Sequence, residues 1–96
     1  MKIRSFIHKS LKAFYFDDIA KGLPPDTVDK LRKMLGFLDN MQDFEELRSL
    51  PVWKAHTLVG DRKGRWSLSV TRNRRLTFSA DIREREIYDV NLEDYH

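Results

Sequence analysis

The spacing of apolar residues changes once along this 96-residue chain, close to Pro51, and that change restricts the folds available to it. Before Pro51 the apolar side chains recur with the period of about 3.6 residues that is typical of an α-helix. From Val52 they alternate with a period of about 2, as in a strand with one buried face. Helices followed by strands at hairpin spacing predict an α+β fold, with two N-terminal helices packed on one face of a twisted, mainly antiparallel sheet.

The bounds of the elements follow from this pattern and from the residues that interrupt it. A first strand is expected at 3–7 and a first helix at 8–20, which Lys21-Gly22 and the prolines after it would end. Asp26 is expected to cap a second helix at about 27–39. A short turn or helical stub should follow, and then strands at 52–58, 65–70, 75–80 and 85–90. One domain over residues 1–96 accommodates the whole pattern.

Positive charge is concentrated in residues 53–75. That stretch holds seven Lys or Arg against one acid, Asp61, whereas the whole chain carries a net charge of only +3. Such clustering predicts a cationic surface, and cationic surfaces attract phosphate backbones. The side chains expected to contact phosphate there are Lys54, Arg62, Lys63, Arg72 and Arg74.

The stretch after the last expected strand, Glu93 to His96, combines carboxylates, a phenol and an imidazole. Because it follows a strand directly, we expect the fold to bring it onto the cationic surface, where the two would form a site. Arginine, imidazole and phenol can together cut RNA without a metal. A base removes the 2′-hydroxyl proton, an acid protonates the 5′ leaving oxygen, and a cation stabilises the charge that develops on phosphorus.

Several other chemistries have no support in the sequence. The chain has no cysteine, which excludes a thiol nucleophile and a thiolate zinc site. Its three histidines show no metal-ligand spacing, so no metal or other cofactor is expected. Gly60 to Gly64 lacks the spacing of a P-loop and is expected to be a hairpin loop. With no signal-peptide pattern and no long apolar run, we expect a cytoplasmic protein without a membrane span.

Short motifs in this chain together resemble the HigB toxins, the plasmid maintenance killer proteins of the RelE/ParE toxin superfamily. The motifs are Arg4-Ser5-Phe6, Trp53 to Leu58, Trp66 to Val70, Asn73 to Phe78 and the closing Asp94-Tyr95-His96. The resemblance covers nearly the whole chain. It implies a RelE-like RNase toxin fold and the toxin of a type II toxin-antitoxin system. Such a toxin would enter the ribosomal A site, cleave mRNA, and be neutralised by a helix-turn-helix antitoxin similar to HigA.

The same resemblance implies which residues form the site. The positions that match catalytic or substrate-contacting residues of the family are His56, Arg75, Asp94, Tyr95 and His96. Similar toxins often carry a lysine where this chain has Val59, so a cation is missing that a neighbouring Lys or Arg would have to replace. Two alternatives stay open: a ParE-like inhibitor of DNA gyrase, and a non-catalytic module of the same fold that binds RNA or the ribosome. The terminal Tyr-His pair and the arginine-rich hairpin favour RNA cleavage.

Overall fold

The computed structural model of the protein describes residues 1–62 and 64–94. As the apolar spacing predicted, two helices precede most of a β-sheet, which has five strands. The elements are α1 (Lys9–Asp17), α2 (Val28–Asn40), β1 (Lys2–Ile3), β2 (His56–Thr57), β3 (Arg65–Thr71), β4 (Arg74–Asp81) and β5 (Glu86–Asp94). The strands lie in the order β1-β5-β4-β3-β2; β1 is parallel to β5 and the other three pairs are antiparallel. None of the described helices is long and apolar enough to cross a membrane.

The two helices form the antiparallel hairpin that a short Gly-Pro connection favours. Asp18, just after α1, accepts a hydrogen bond of 2.6 Å from Arg32 in the first part of α2. Tyr15, one turn earlier, donates its hydroxyl proton to Asp39 near the end of α2. The guanidinium of Arg32 also lies 4.8 Å from the ring centroid of Phe14. From Tyr15 to Asp18 the hydrogen-bonded partner therefore moves backward along α2, from Asp39 to Arg32.

The predicted end of the first helix and the predicted cap of the second helix were wrong. Helix α1 ends at Asp17, because Asp18 adopts the left-handed conformation (φ 56°) and donates its backbone N–H to carbonyls of the last turn. A short polar side chain tolerates this conformation, so Gly22 is not needed to stop the helix. Helix α2 begins after a 3₁₀ turn, Pro25–Thr27, and Asp26 lies inside that turn, where it does not act as the cap.

One hydrophobic core lies between the helices and the sheet. Helix α2 contributes Leu31, Met34, Leu35 and Leu38, and the sheet contributes Trp66, Leu68, Val70, Leu76, Phe78, Ile87 and Val90. Full burial of each such side chain stabilises the fold by roughly 1.5–3 kcal/mol. Because side chains alternate along β3 and β4, the polar residues between these positions lie on the opposite face of the sheet.

The segment before β3 is shorter as a strand than predicted. Residues Pro51–Trp53 form a 3₁₀ turn and Lys54 is left-handed (φ 48°), so only His56–Thr57 pair with β3. Proline favours the first position of such a turn. Trp53 is buried against the ring of Phe37, with the two ring centroids 5.2 Å apart. The first strand is also short: only Lys2–Ile3 belong to β1, and Phe6 adds an isolated bridge to Val90.

Strand β5 is longer than predicted and reaches Asp94. Between Thr77 and Ser79 of β4 the paired residue shifts from Asn91 to Tyr88, so β5 contains one extra residue at this point. Such a β-bulge bends and twists the strand. Asp89 lies at the bulge with φ 52°. Beyond it, Glu93 pairs with Arg75 and Asp94 with Arg74, which places both acids beside the arginine-rich part of β4.

Candidate active site

A cleft of about 200 Å³ opens on the polar side of the sheet, next to the loop that joins β2 to β3. Its walls come from that loop and from strands β2 to β5, and its lining residues are His56, Leu58, Arg62, Ser67, Arg75, Thr77, Glu93 and Asp94. Neighbouring strands thus bring together residues that are almost forty positions apart. Two other surface pockets are larger, at about 250 and 390 Å³, but neither is lined by a residue that the sequence analysis assigned to the site.

The imidazole of His56 has a defined tautomer when it is neutral. Its Nδ1 lies 2.9 Å from the backbone oxygen of Lys54. Since a carbonyl oxygen can only accept a hydrogen bond, Nδ1 carries the proton, and Nε2 of the neutral ring is left as a proton acceptor. The left-handed conformation of Lys54 places this carbonyl within reach. The bond persists when the ring is protonated, so His56 can take up or release a proton at Nε2 without changing its partner.

Glu93 connects the loop to the sheet at the edge of the cleft. Its carboxylate accepts hydrogen bonds from the guanidinium of Arg62 and from the hydroxyl of Thr77. Burial alone would raise the pKa of Glu93, but the hydrogen bonds from Thr77 and Arg62, and the charges of Arg62 and Arg65, lower it below its usual value. Glu93 is therefore ionised at neutral pH. The sequence analysis included Glu93 in the stretch expected to form the site but gave it no role, because the direction of its side chain depends on the bulge in β5.

Arg65 was counted among the seven clustered cations, but its guanidinium is bound within the sheet. It donates hydrogen bonds to Ser79 (2.9 Å), to Thr77 (3.0 Å) and to the backbone oxygen of Asp89 (3.0 Å). Burial, and then the neighbouring charge of Arg62, lowers the pKa of Arg65. One of the seven cations thus joins β3, β4 and the β5 bulge.

The expected cationic surface carries carboxylates as well as cations at the cleft. Arg62 and Arg75 line it together with Glu93 and Asp94. Arg62 is paired with Glu93, and Arg74 lies 3.5 Å from a carboxylate oxygen of Asp94. The expectation that the fold brings the stretch from Glu93 onward against the arginines is confirmed for Glu93 and Asp94. The net charge at the cleft is correspondingly less positive than the sequence suggested.

Residues 4–96 match the family model of HigB-like toxins, described as the RelE-like toxin of the type II toxin-antitoxin system HigB. The chain belongs to this family. It is 37% identical over 94 residues to the protein named Endoribonuclease HigB from Proteus vulgaris, with 98% of this chain and 99% of that relative covered. Both matches confirm the resemblance that the sequence motifs indicated.

Solved structures show the same fold at low sequence identity. YafQ from E. coli is similar with a TM-score of 0.61 and 14% identity, over 97% of this chain and 93% of that one. The YoeB/ParE toxin from Agrobacterium tumefaciens is similar with a TM-score of 0.58 and 18% identity, over 100% and 99% of the two chains. The predicted RelE-like α+β fold is therefore confirmed. As a toxin of a type II toxin-antitoxin family, this HigB-like toxin has an antitoxin as its partner.

In this HigB-like toxin, the sequence-predicted residues divide into three groups. The cleft brings together His56, Arg62, Arg75 and Asp94. Within the described part of the chain, Lys54, Arg72 and Arg74 do not line it: Arg74 lies beside it as the partner of Asp94, while Lys54 and Arg72 are exposed. Lys63, Tyr95 and His96 lie outside the described residues. Between residues 1 and 62 and between 64 and 94, no group of His, Cys, Asp or Glu is arranged to hold a metal ion.

Val59 is the position where similar toxins often carry a lysine. Its side chain is 86% exposed on the loop beside the cleft. The apolar side chain therefore does not pack inward, and a longer cationic side chain would fit at this position. Arg62, three residues later on the same loop, lines the cleft instead.

Proposed function

We propose that this HigB-like toxin is a ribosome-dependent endoribonuclease that cleaves mRNA in the ribosomal A site, with the scissile phosphate in the cleft between β2 and β5. Endoribonuclease activity is supported by the family match and by the name of the Proteus vulgaris relative. The observation that carries the proposal is the placement of His56, Arg75 and Asp94 around one cleft. These are three of the five positions that the family motifs made catalytic.

The geometry supports a division of roles in this reaction. Nε2 of His56 accepts the proton of the 2′-hydroxyl, because Nδ1 is occupied as a donor to the Lys54 carbonyl. The 2′-oxygen then attacks phosphorus, the bond to the 5′ oxygen breaks, and a 2′,3′-cyclic phosphate remains. Arg75 stabilises the charge that builds up on the phosphorus oxygens, a contribution worth about 10²–10³ in rate when one such donor is lost.

The proton for the 5′ leaving oxygen is assigned to His96, with Tyr95 positioning the phosphate. This assignment rests on the family motif, since both residues lie beyond the described part of β5. The described part supports it through Glu93 and Asp94. The strand that carries them runs beside Arg74 and Arg75, and its last described residue, Asp94, lines the cleft.

The proposal is tested by mapping the 5′ ends of mRNA after brief expression of the toxin. Wild-type protein should produce new ends inside translated messages, in register with codons. Arg75→Ala should abolish them while the protein stays folded and still binds ribosomes. Arg83→Ala is the matched control, because Arg83 is an exposed arginine on the β4–β5 turn, away from the cleft.

Other outcomes distinguish the two alternative hypotheses. Growth inhibition without new 5′ ends would contradict cleavage, and inhibition of DNA supercoiling by gyrase in the same cells would then favour a ParE-like poison. Co-sedimentation with ribosomes without cleavage or gyrase inhibition would favour a non-catalytic ribosome-binding module.

The antitoxin partner is proposed to be a helix-turn-helix protein similar to HigA. This follows from membership in a family of type II toxin-antitoxin toxins. Co-expression of the neighbouring reading frame should restore growth, and the two proteins should co-purify. A neighbouring frame that neither binds the toxin nor restores growth would contradict this assignment.

A further inference from the structure

We propose that Glu93 is a positioning residue that holds Arg62 in the cleft, where Arg62 supplies the phosphate-binding cation that Val59 does not provide. The inference rests on the proposed function, because it concerns how RNA phosphate is held in the same cleft. It concerns residues of this chain that the family motifs leave without a role. Three features of the structure carry it: the exposure of the loop, the bonds around Glu93 and the balance of charge.

The first feature is the exposure of the loop that carries Arg62. The Arg62 side chain is 45% exposed, whereas the Glu93 side chain is 27% exposed and belongs to a strand. An arginine on an exposed loop loses rotamer entropy when it is fixed in one conformation. Glu93 offsets this loss before RNA arrives, because its carboxylate binds the Arg62 guanidinium at the cleft.

The second feature is a relay of hydrogen bonds that fixes the carboxylate of Glu93 itself. The hydroxyl of Thr77, 2% exposed, accepts a hydrogen bond from Arg65 and donates one to Glu93. A hydroxyl has one proton, and the bond from Arg65 leaves that proton for Glu93. Hydrogen bonds that run from Arg65 in β3, through Thr77 in β4, to Glu93 in β5 thus fix the carboxylate that binds Arg62.

The third feature is the balance of charge in the cleft, to which Glu93 contributes a negative charge. A carboxylate in a cleft that binds a polyanion should weaken binding if it acts only through its charge. On that view, neutralising Glu93 would strengthen RNA binding and speed cleavage. If Glu93 positions Arg62, neutralising it should have the opposite effect, because the loop cation would leave the cleft. The direction of the change therefore separates the two explanations.

The experiment is a double-mutant cycle with Glu93→Gln, Arg62→Gln and the double variant. Cleavage of ribosome-bound mRNA is measured under single-turnover conditions, together with the affinity for ribosomes that carry a non-cleavable mRNA with a 2′-deoxy nucleotide in the A site. Each single variant should lower cleavage by about tenfold, and the double variant should also lie about tenfold below wild type, because residues in one network are not additive. The salt dependence of binding should flatten equally in all three.

Glu84→Gln is the matched control, since Glu84 is an exposed acid on the β4–β5 turn, and it should leave cleavage and salt dependence unchanged. Thr77→Val and Thr77→Ser give a second comparison that keeps Glu93 intact: the valine variant should cleave several-fold more slowly than the serine variant. Faster or unchanged cleavage by Glu93→Gln would overturn the proposal. So would a double variant about a hundredfold below wild type, which is the product expected of independent residues.

The affinities for ribosomes with the non-cleavable mRNA separate this inference from the proposed function. If wild-type protein does not cleave mRNA, the proposed function is wrong, while the cycle in affinity for the 2′-deoxy complex still measures the coupling of Glu93 to Arg62. If wild-type protein cleaves but the affinities of the variants combine as independent effects, the inference is wrong and the proposed function stands.

Discussion

Arg65 provides the sharpest test of how this structure uses its clustered cations. Sequence analysis places Arg65 in the basic stretch, but its guanidinium forms three hydrogen bonds within the sheet, to Ser79, Thr77 and the Asp89 carbonyl. At about 1.5 kcal/mol for each bond to a charged donor, the three contribute roughly 4–5 kcal/mol. Fixing the long side chain opposes them by about 2 kcal/mol.

Arg65→Met should therefore lower the free energy of unfolding by about 2–3 kcal/mol, which corresponds to a fall in Tm of roughly 10–20 °C for a domain of this size. Any change in the salt dependence of ribosome binding should be no larger than in Thr77→Val, because the Arg65 guanidinium does not line the cleft and reaches Arg62 only through Thr77 and Glu93. Denaturant unfolding and binding at several salt concentrations measure the two quantities on the same samples.

Arg72→Met is the matched control, since Arg72 is exposed on the β3–β4 turn. It should change the free energy of unfolding by less than about 0.5 kcal/mol, and it should flatten the salt dependence of binding by about one unit of slope if it contacts phosphate. Equal Tm shifts in the two variants would refute the structural role of Arg65.

Val59→Lys should leave both cleavage and stability nearly unchanged, because the position is 86% exposed and Arg62 already supplies the phosphate-binding cation; cleavage several-fold faster than wild type in the mRNA assay would show that this cation is missing. Burial, with the hydrogen bond and charge of Asp39, raises the pKa of Tyr15 to about 12. The contribution of this shift to the free energy of unfolding is complete below a pH of about 10 and is lost as the pH rises towards 12. In denaturant titrations over that range, the free energy of unfolding should therefore fall faster for wild-type protein than for Tyr15→Phe. His96→Ala should abolish cleavage while folding and antitoxin binding persist; cleavage within about threefold of wild type would remove His96 from the mechanism.

The elements that sequence reasoning located well are those whose apolar pattern and burial agree. Helix α2 matched its prediction within one residue at each end, because Leu31, Met34, Leu35 and Leu38 form an uninterrupted buried face. The β3–β4 hairpin matched because Trp66, Leu68 and Val70 alternate with polar residues and a tight turn follows. In both cases local pattern and tertiary packing favour the same structure.

The features that sequence reasoning missed depend on contacts between distant residues. The predicted last strand stopped at Val90 because the residues after it are polar, yet β5 continues to Asp94 beside β4. The extra residue at the β5 bulge changes which side chains face the cleft, and no local pattern marks it. The role of Glu93 was missed for that reason. Motifs could name His56, Arg75 and Asp94, but the pairing of Arg62 with Glu93 needed the sheet.

The order of strands in the sheet bears on the synthesis of a protein that is proposed to attack ribosomes. β5 leaves the ribosome after every other described strand, yet it lies between β1 and β4. Until it emerges, β1 has no neighbour in the sheet and β4 has an open edge, so the nascent chain cannot close its core. The cleft also lacks Glu93 and Asp94 at that stage. A nascent copy therefore cannot assemble the site while its own ribosome is still translating the codons for β5.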